Sequence, residues 1–123
     1  MAKILIIDDA NFTRTMLKRI IAEFGHETIE ASNGREGLDK ICSDQPDIVL
    51  VDIHMPEMDR VELLSVLRET HTDVHVIVIS ADVQDITKDK CIDLGVSDFF
   101  NKPPDKGKLK IAIEKILNKG KQD

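Results

Sequence analysis

The chain has 123 residues, of which 41% are hydrophobic and 33% are charged. This length fits a single domain, and this composition is typical of a soluble globular domain rather than of a disordered segment. The longest apolar runs have about four or five residues, whereas a transmembrane helix needs about 20, so no membrane insertion is expected. The first residues also lack the apolar core and the cleavage site of a signal peptide.

The net charge of −6 is unevenly distributed along the chain. From Lys102 onward there are seven lysines and three acidic residues, a net charge of +4, which leaves −10 for the first 101 residues. An acidic body argues against direct nucleic-acid binding. The basic C-terminal segment fits either a solvated surface or a partner-binding face, and the sequence leaves both readings open.

The two cysteines, Cys42 and Cys91, fit neither a disulfide framework nor a Cys-x-x-Cys metal motif. We expect both to be small, half-buried hydrophobic side chains in a reducing compartment. A cytoplasmic location is predicted on this ground.

Short strand-like runs alternate with helical patterns along the whole chain. The predicted strands are, in order, Lys3–Ile7, Glu27–Glu30, Asp47–Val51, His75–Ile79 and Ser97–Asn101. The predicted helices between and after them are Asn11–Phe24, Gly34–Cys42, Val61–Arg68, Asp85–Leu94 and Lys106–Leu117. Alternation of this kind predicts βαβ units, a mostly parallel sheet and helices on both of its faces. Because the first, third and fourth strands are almost wholly apolar and Glu27–Glu30 is polar, we expect Glu27–Glu30 at an edge.

Polar residues follow the apolar strands: Asp8 and Asp9, then Asp52, Ser80 and Lys102. Ligands of open parallel sheets bind beyond the carboxyl ends of the strands, so these side chains should converge on one edge. Three carboxylates at close range repel one another, and a hard divalent cation would relieve that repulsion. All-oxygen ligands favour Mg²⁺, with Mn²⁺ as a possible substitute.

With the cation held at the acidic pair, Asp52 is free to act as a nucleophile that forms an aspartyl phosphate. Lys102 would offset charge on a phosphoryl oxygen, and Ser80 would donate a hydrogen bond to another. Each residue alone reads as an ordinary cap or turn residue. The set is informative because every member stands at the end of a strand.

Four segments together resemble the receiver domain of two-component response regulators, of the chemotaxis-regulator type. They are ILIIDDA at Ile4–Ala10, DIVLVDIHMPEMD at Asp47–Asp59, VIVISA at Val76–Ala81 and DFFNKP at Asp98–Pro103. The resemblance spans nearly the whole chain and is specific as a set. It implies one receiver domain over residues 1–123 with a flavodoxin-like α/β fold. That fold is a doubly wound, five-stranded parallel sheet in the order 2-1-3-4-5, with five helices.

The resemblance also implies a role for each residue of the site. Asp52 would be the phosphoacceptor, and Lys102 would pair with a phosphoryl oxygen ahead of a cis Lys102–Pro103 bond. Mg²⁺ would be held by Asp8, Asp9, Asp52 and the backbone carbonyl of His54. Ser80 would move toward the phosphoryl group, and Phe99 would rotate inward as it does so. The face formed by the fourth predicted helix, the fifth strand and the fifth predicted helix would then change shape for its partners.

Three residues depart from the family pattern or stand near the expected path of attacking water. Arg60 occupies a position where the family usually has Gly, so either the loop is rebuilt or local stability is lost. His54 and Asp82 are predicted to tune the lifetime of the phosphate. For His54, a solvated loop histidine without a role is the alternative.

The resemblance implies a self-phosphorylating and self-dephosphorylating switch rather than an enzyme with an external substrate. Its partners would be a histidine kinase or phosphotransfer protein and a downstream protein target, with the chain a monomer or a phosphorylation-dependent dimer. One alternative is a Mg²⁺ phosphatase, but the first strand ends in DDAN rather than in the DxDx[TV] signature of such enzymes. Another is a degenerate receiver that binds partners without phosphate. Either a stand-alone receiver or the N-terminal piece of a longer protein fits the sequence.

Overall fold

The computed structural model describes residues 2–52, 74–80, 97–101 and 104–120. The strands in these residues are β1 Lys3–Ile7, β2 Glu27–Ala31, β3 Ile48–Asp52, β4 His75–Ser80 and β5 Asp98–Asn101. The helices are α1 Asn11–Glu23, α2 Gly34–Asp44 and α3 Lys106–Gly120, the last being the fifth predicted helix. The helices predicted at 61–68 and 85–94 lie outside the described residues.

The five strands form one parallel sheet in the order β2-β1-β3-β4-β5. This confirms the predicted sheet and its order. The polar strand β2 is at an edge, as its sequence predicts. The strand order changes direction at β1. Strand β2 lies on one side of β1, and β3, the next strand in sequence, lies on the other side. Such a switch point is where ligands bind in open α/β sheets.

The alternation of side chains along the strands divides the core into two layers. One layer packs against α2 and consists of Leu5, Ile7, Ala31, Ile41, Val49, Val51, Val74, Val76 and Val78. The other packs against α1 and α3 and consists of Ala2, Ile4, Ile6, Leu17, Ile21, Ile48, Leu50, Ile77, Ile79, Leu109, Ala112 and Ile113. Burial on both sides explains why β1, β3 and β4 are nearly uninterrupted runs of branched apolar residues.

The helix ends are set by backbone conformations just outside each helix. Phe24 is the C-cap of α1 rather than its last residue, and Gly25 follows with a φ of 86°. Helix α2 continues to Asp44, two residues beyond the prediction, because Gln45 adopts the left-handed conformation and donates its N–H to the Ile41 carbonyl. Gln45 has a φ of 48°, which glycine adopts more easily than any other residue.

The prediction for Cys42 is wrong, since its side chain is exposed. Ile41 is the residue that α2 turns toward the sheet, and its neighbour, about 100° further around the helix, faces solvent. Cys91 lies outside the described residues. Within the described parts of the chain, no helix is long and apolar enough to cross a membrane.

Candidate functional site

The register of the sheet brings the predicted site residues to one edge. Val51 pairs with Ile7, so Asp52 and Asp8 are the next residues along two neighbouring strands. On the other side of β3, Asp52 pairs with Ile79, and Ser80 is one residue further along β4. Neighbouring strands are about 4.8 Å apart. Position 52 therefore lies on the central strand, between the acidic pair of β1 and the serine of β4.

Asp8 is the only fully buried charged residue within the described ranges. Its Oδ1 accepts the Ala10 N–H at 2.8 Å, and its own N–H donates to the Ala31 carbonyl at 3.1 Å. Its carbonyl oxygen accepts Nη1 of Arg14 at 2.5 Å. Burying a carboxylate is unfavourable unless it is hydrogen-bonded, paired with a charge or bound to a metal. A buried acid at a strand end, with oxygen as its donor atom, fits a hard divalent cation.

Asp9 differs from Asp8 because its side chain is exposed. The acidic pair is thus asymmetric, with one carboxylate inside the protein and the next at its surface. Among the described residues, no three His, Cys, Asp or Glu side chains gather closely enough to hold a metal ion. The side chain of Asp52, the third carboxylate of the predicted set, lies outside the described part of the structure.

Arg14 is a residue of this site that the sequence analysis missed. In addition to the Asp8 carbonyl, its guanidinium contacts Oε1 of Glu30, 3.6 Å from Nε, and Oδ1 of Asn11, 3.2 Å from Nη2. Nζ of Lys18 is 3.5 Å from the other oxygen of Glu30. The sequence carries no signal for this network, because the sequence pattern of α1 and β2 is the same whether their polar residues are solvated or paired with one another.

A polar cavity of about 290 Å³ lies beside this network, between the first turns of α1 and α2. Its two carboxylates are paired with cations, Glu30 with Arg14 and Glu36 with Lys40, whose Nζ is 3.5 Å from Oε1 of Glu36. The pKa of Glu36 is lowered, chiefly because the Ser32 hydroxyl donates a hydrogen bond to its carboxylate at 2.9 Å. The charges that line this cavity are therefore balanced among themselves.

The remaining predicted residues lie on β4 and β5 or outside the described residues. Phe99 belongs to β5 and pairs with Val78, while Asn101 pairs with Ser80. The side chains of Ser80 and Phe99 lie outside the described part of the structure. Phe100 packs in the α1 and α3 layer of the core. Outside the described residues lie His54, Arg60, Asp82, Lys102 and the Lys102–Pro103 bond.

Comparison with known proteins identifies the family of this chain. The model for the response regulator receiver domain covers residues 4–114, and the chain belongs to this family. It is 38% identical over 115 residues to the chemotaxis protein CheY of Thermotoga maritima, covering 93% of this chain and 96% of that protein. It is 33% identical over 117 residues to the sporulation initiation phosphotransferase F of Bacillus subtilis, covering 94% and 93% of the two chains.

A solved structure supports the same assignment. A receiver domain protein of Clostridium thermocellum superposes with a TM-score of 0.92 at 26% identity, covering 98% of each chain. The chain is therefore a phosphorylation-dependent signalling domain of the two-component type. Receiver domains are in general Mg²⁺-dependent and interact with histidine kinases and downstream targets.

Proposed function

We propose that Asp52 is the phosphoacceptor of a receiver domain that spans residues 1–123. The observation that carries this proposal is the sheet register, which gives position 52 the central strand at the carboxyl edge. An oxygen of the Asp52 carboxylate attacks the phosphorus of a phosphohistidine on a histidine kinase or phosphotransfer protein. A phosphorus–oxygen bond forms, the phosphorus–nitrogen bond breaks, and the leaving imidazole takes up a proton.

Mg²⁺ is the proposed cation, and Mn²⁺ the substitute that the same ligands accept. Asp8, Asp9, Asp52 and the backbone carbonyl of His54 would hold it, and it would neutralise charge on the phosphoryl oxygens. The burial of Asp8 supports this assignment, since a buried carboxylate gains from a nearby cation. Lys102 follows Asn101 of β5 in sequence and would pair with a phosphoryl oxygen.

Ser80 and Phe99 are the proposed switch residues. The register relates them, because Val78 pairs with Phe99 and Ser80 pairs with Asn101, two residues further along both strands. Phe100 packs on the side of α1 and α3, so alternation along the strand predicts the opposite side for Phe99. Movement of Ser80 toward the phosphoryl group would open space for Phe99 and alter the surface around β5 and α3.

The remaining roles concern the lifetime of the phosphate and the partners. His54 and Asp82 are proposed to tune the rate at which water attacks the phosphorus. The downstream partner is proposed to be a protein in the cytoplasm, bound by a monomer or by a phosphorylation-dependent dimer. The domain is proposed to serve as its own substrate, not to turn over an external one.

Intact-protein mass after incubation with acetyl phosphate tests the proposal. We expect a gain of one phosphoryl group that requires Mg²⁺ and that is absent in the Asp52→Asn variant. The conservative variant keeps the size of the side chain and removes the nucleophilic oxygen. No gain with Mg²⁺ in the unchanged protein would overturn the proposal and favour a receiver that binds its partners without phosphate.

A further inference from the structure

We propose that Arg14 is a positioning residue, which fixes the Asp8–Asp9 turn in the geometry that the divalent cation requires. This inference rests on the proposed function, because it concerns the same cation site. Arg14 lies in the first turns of α1, and its side chain is only 15% exposed. It reaches the backbone of Asp8, six residues earlier, rather than solvent.

The three nitrogens of the guanidinium contact the turn after β1, the first residue of α1 and the edge strand β2. Nη1 donates to the carbonyl oxygen of Asp8, Nη2 to Oδ1 of Asn11, and Nε faces Oε1 of Glu30 on β2. The planar fork of Arg makes such simultaneous contacts in fixed directions, which a lysine ammonium does not. Arg14 therefore ties the end of β1 to both α1 and the edge strand.

These contacts matter for the cation because of how Asp8 is held. Its N–H is bound to the Ala31 carbonyl, its Oδ1 to the Ala10 N–H and its carbonyl oxygen to Arg14. Arg14 is the only one of these three partners that acts through a side chain. Without it the peptide after Asp8 loses a charge-assisted hydrogen bond, and the turn that carries Asp9 becomes less ordered before the cation binds. Removal of a residue that orients a metal ligand typically weakens metal binding by roughly 10- to 100-fold.

Charge alone predicts the opposite result. Arg14 is positive, so its removal should strengthen the binding of a divalent cation nearby through simple electrostatics. If Arg14 positions Asp8, its removal should weaken that binding instead. The sign of the change therefore separates the two roles.

Lys18 offers a matched control in the same helix. It also contacts Glu30, at 3.5 Å, but it makes no described contact with Asp8, and its side chain is 56% exposed. The variants Arg14→Gln and Lys18→Gln remove one positive charge each from the same network. Arg14→Lys keeps the charge but loses the fork.

The test measures the affinity for Mn²⁺ from the electron paramagnetic resonance signal of the free ion. Competition with Mg²⁺ then gives the affinity for Mg²⁺. Because the chain has no Trp or Tyr, its intrinsic fluorescence is a poor reporter of metal binding, and the signal of the free ion is measured instead. We expect Arg14→Gln to weaken Mn²⁺ binding about tenfold, Arg14→Lys to weaken it less, and Lys18→Gln to leave it unchanged or slightly tighter. Phosphorylation by acetyl phosphate should need more Mg²⁺ in Arg14→Gln and approach the unchanged rate when Mg²⁺ saturates.

Unfolding curves confirm that each variant is folded under the conditions of the titration, and Arg14→Lys decides the matter if Arg14→Gln does not fold. Unchanged or tighter Mn²⁺ binding in the folded Arg14 variants would overturn the positioning role and leave the proposed function intact. Absence of Mn²⁺ binding in the unchanged protein would overturn the positioning role together with the proposed cation site.

Discussion

His26 is a half-buried histidine whose contacts make it sensitive to pH. Its Nδ1 accepts the Ala2 N–H at 3.1 Å, which requires an unprotonated nitrogen. Its pKa is lowered from 6.5, chiefly by burial and also by the positive charge of the terminal amine, against the opposing influence of Glu114 and Asp47. Both burial and the hydrogen bond therefore favour the neutral ring in the folded protein.

The sign of the resulting pH dependence follows from this lowered pKa. Above about pH 6.5 the ring is neutral in the folded and unfolded chains, and its contribution to stability is complete. As the pH falls below that value the unfolded chain takes up a proton first, so the free energy of unfolding decreases until the folded pKa is passed. We expect urea unfolding at about pH 7.5 and at about pH 5.5 to show a smaller difference in His26→Gln than in the unchanged protein. An equal difference in both would contradict this role of His26.

The packing of α2 on the sheet depends on Gly37, because the helix backbone approaches Ile7 closely there. A Cβ at Gly37 would lie 2.4 Å from Cδ1 and 2.9 Å from Cγ1 of Ile7, which is fully buried. Because Ile7 is fully buried, an added methyl group would force the Ile7 side chain or the helix to shift within the packed core. The contact joins α2 to β1, the strand that the acidic pair follows.

Gly37→Ala is therefore expected to lower the free energy of unfolding by about 1–3 kcal/mol, as overpacking does in other cores. Gly107→Ala in the first turn of α3 is the matched control. A Cβ at Gly107 meets only Oδ1 of Asp105, at an ordinary 3.4 Å. The free energy of unfolding of Gly107→Ala should rise by up to about 1 kcal/mol, because alanine restricts the conformations of the unfolded chain. Denaturant unfolding of the pair measures both effects, and equal changes of one sign would contradict the argument.

At the level of elements, the strands were predictable to within one residue because apolar runs bounded by polar residues define them. The helix ends were less predictable. Helix α2 ends at the left-handed Gln45, where no glycine marks the position, and α3 continues three residues beyond the predicted Leu117, to Gly120. The contacts of Arg14 and Gly37 could not be predicted at all. They depend on which residues of separate elements meet, and a single sequence does not specify those pairs.

For the whole molecule, the sheet order and the register explain why residues far apart in sequence reach one edge of the sheet. Asp8, Asp52 and Ser80 follow apolar runs of β1, β3 and β4, which are neighbours in the sheet. The sequence predicted this edge because strand ends are visible in the pattern, and the chemistry of the edge stays a prediction. The two core layers pack against the strands from both sides of the sheet.

The signalling surface is expected on the side of β5 and α3, which the same sheet connects to the edge that carries the proposed phosphoacceptor. Strand β5 is the edge strand next to β4, and α3 packs on the core through Leu109 and Ile113. Under the proposed function, a change at Ser80 would reach β5 across one strand pairing. This account requires that the phosphoryl group be carried by position 52 and by no other carboxylate of the edge.

Reductive trapping with borohydride, followed by peptide mapping, is the most direct test of that requirement. Borohydride converts an aspartyl phosphate into homoserine, so the phosphorylated position is marked permanently in the peptide. After incubation with acetyl phosphate and Mg²⁺, we predict the mark at Asp52, with Asp8 and Asp9 unmodified. A mark at Asp8 or Asp9, or a phosphorylated protein without a mark at Asp52, would contradict the account.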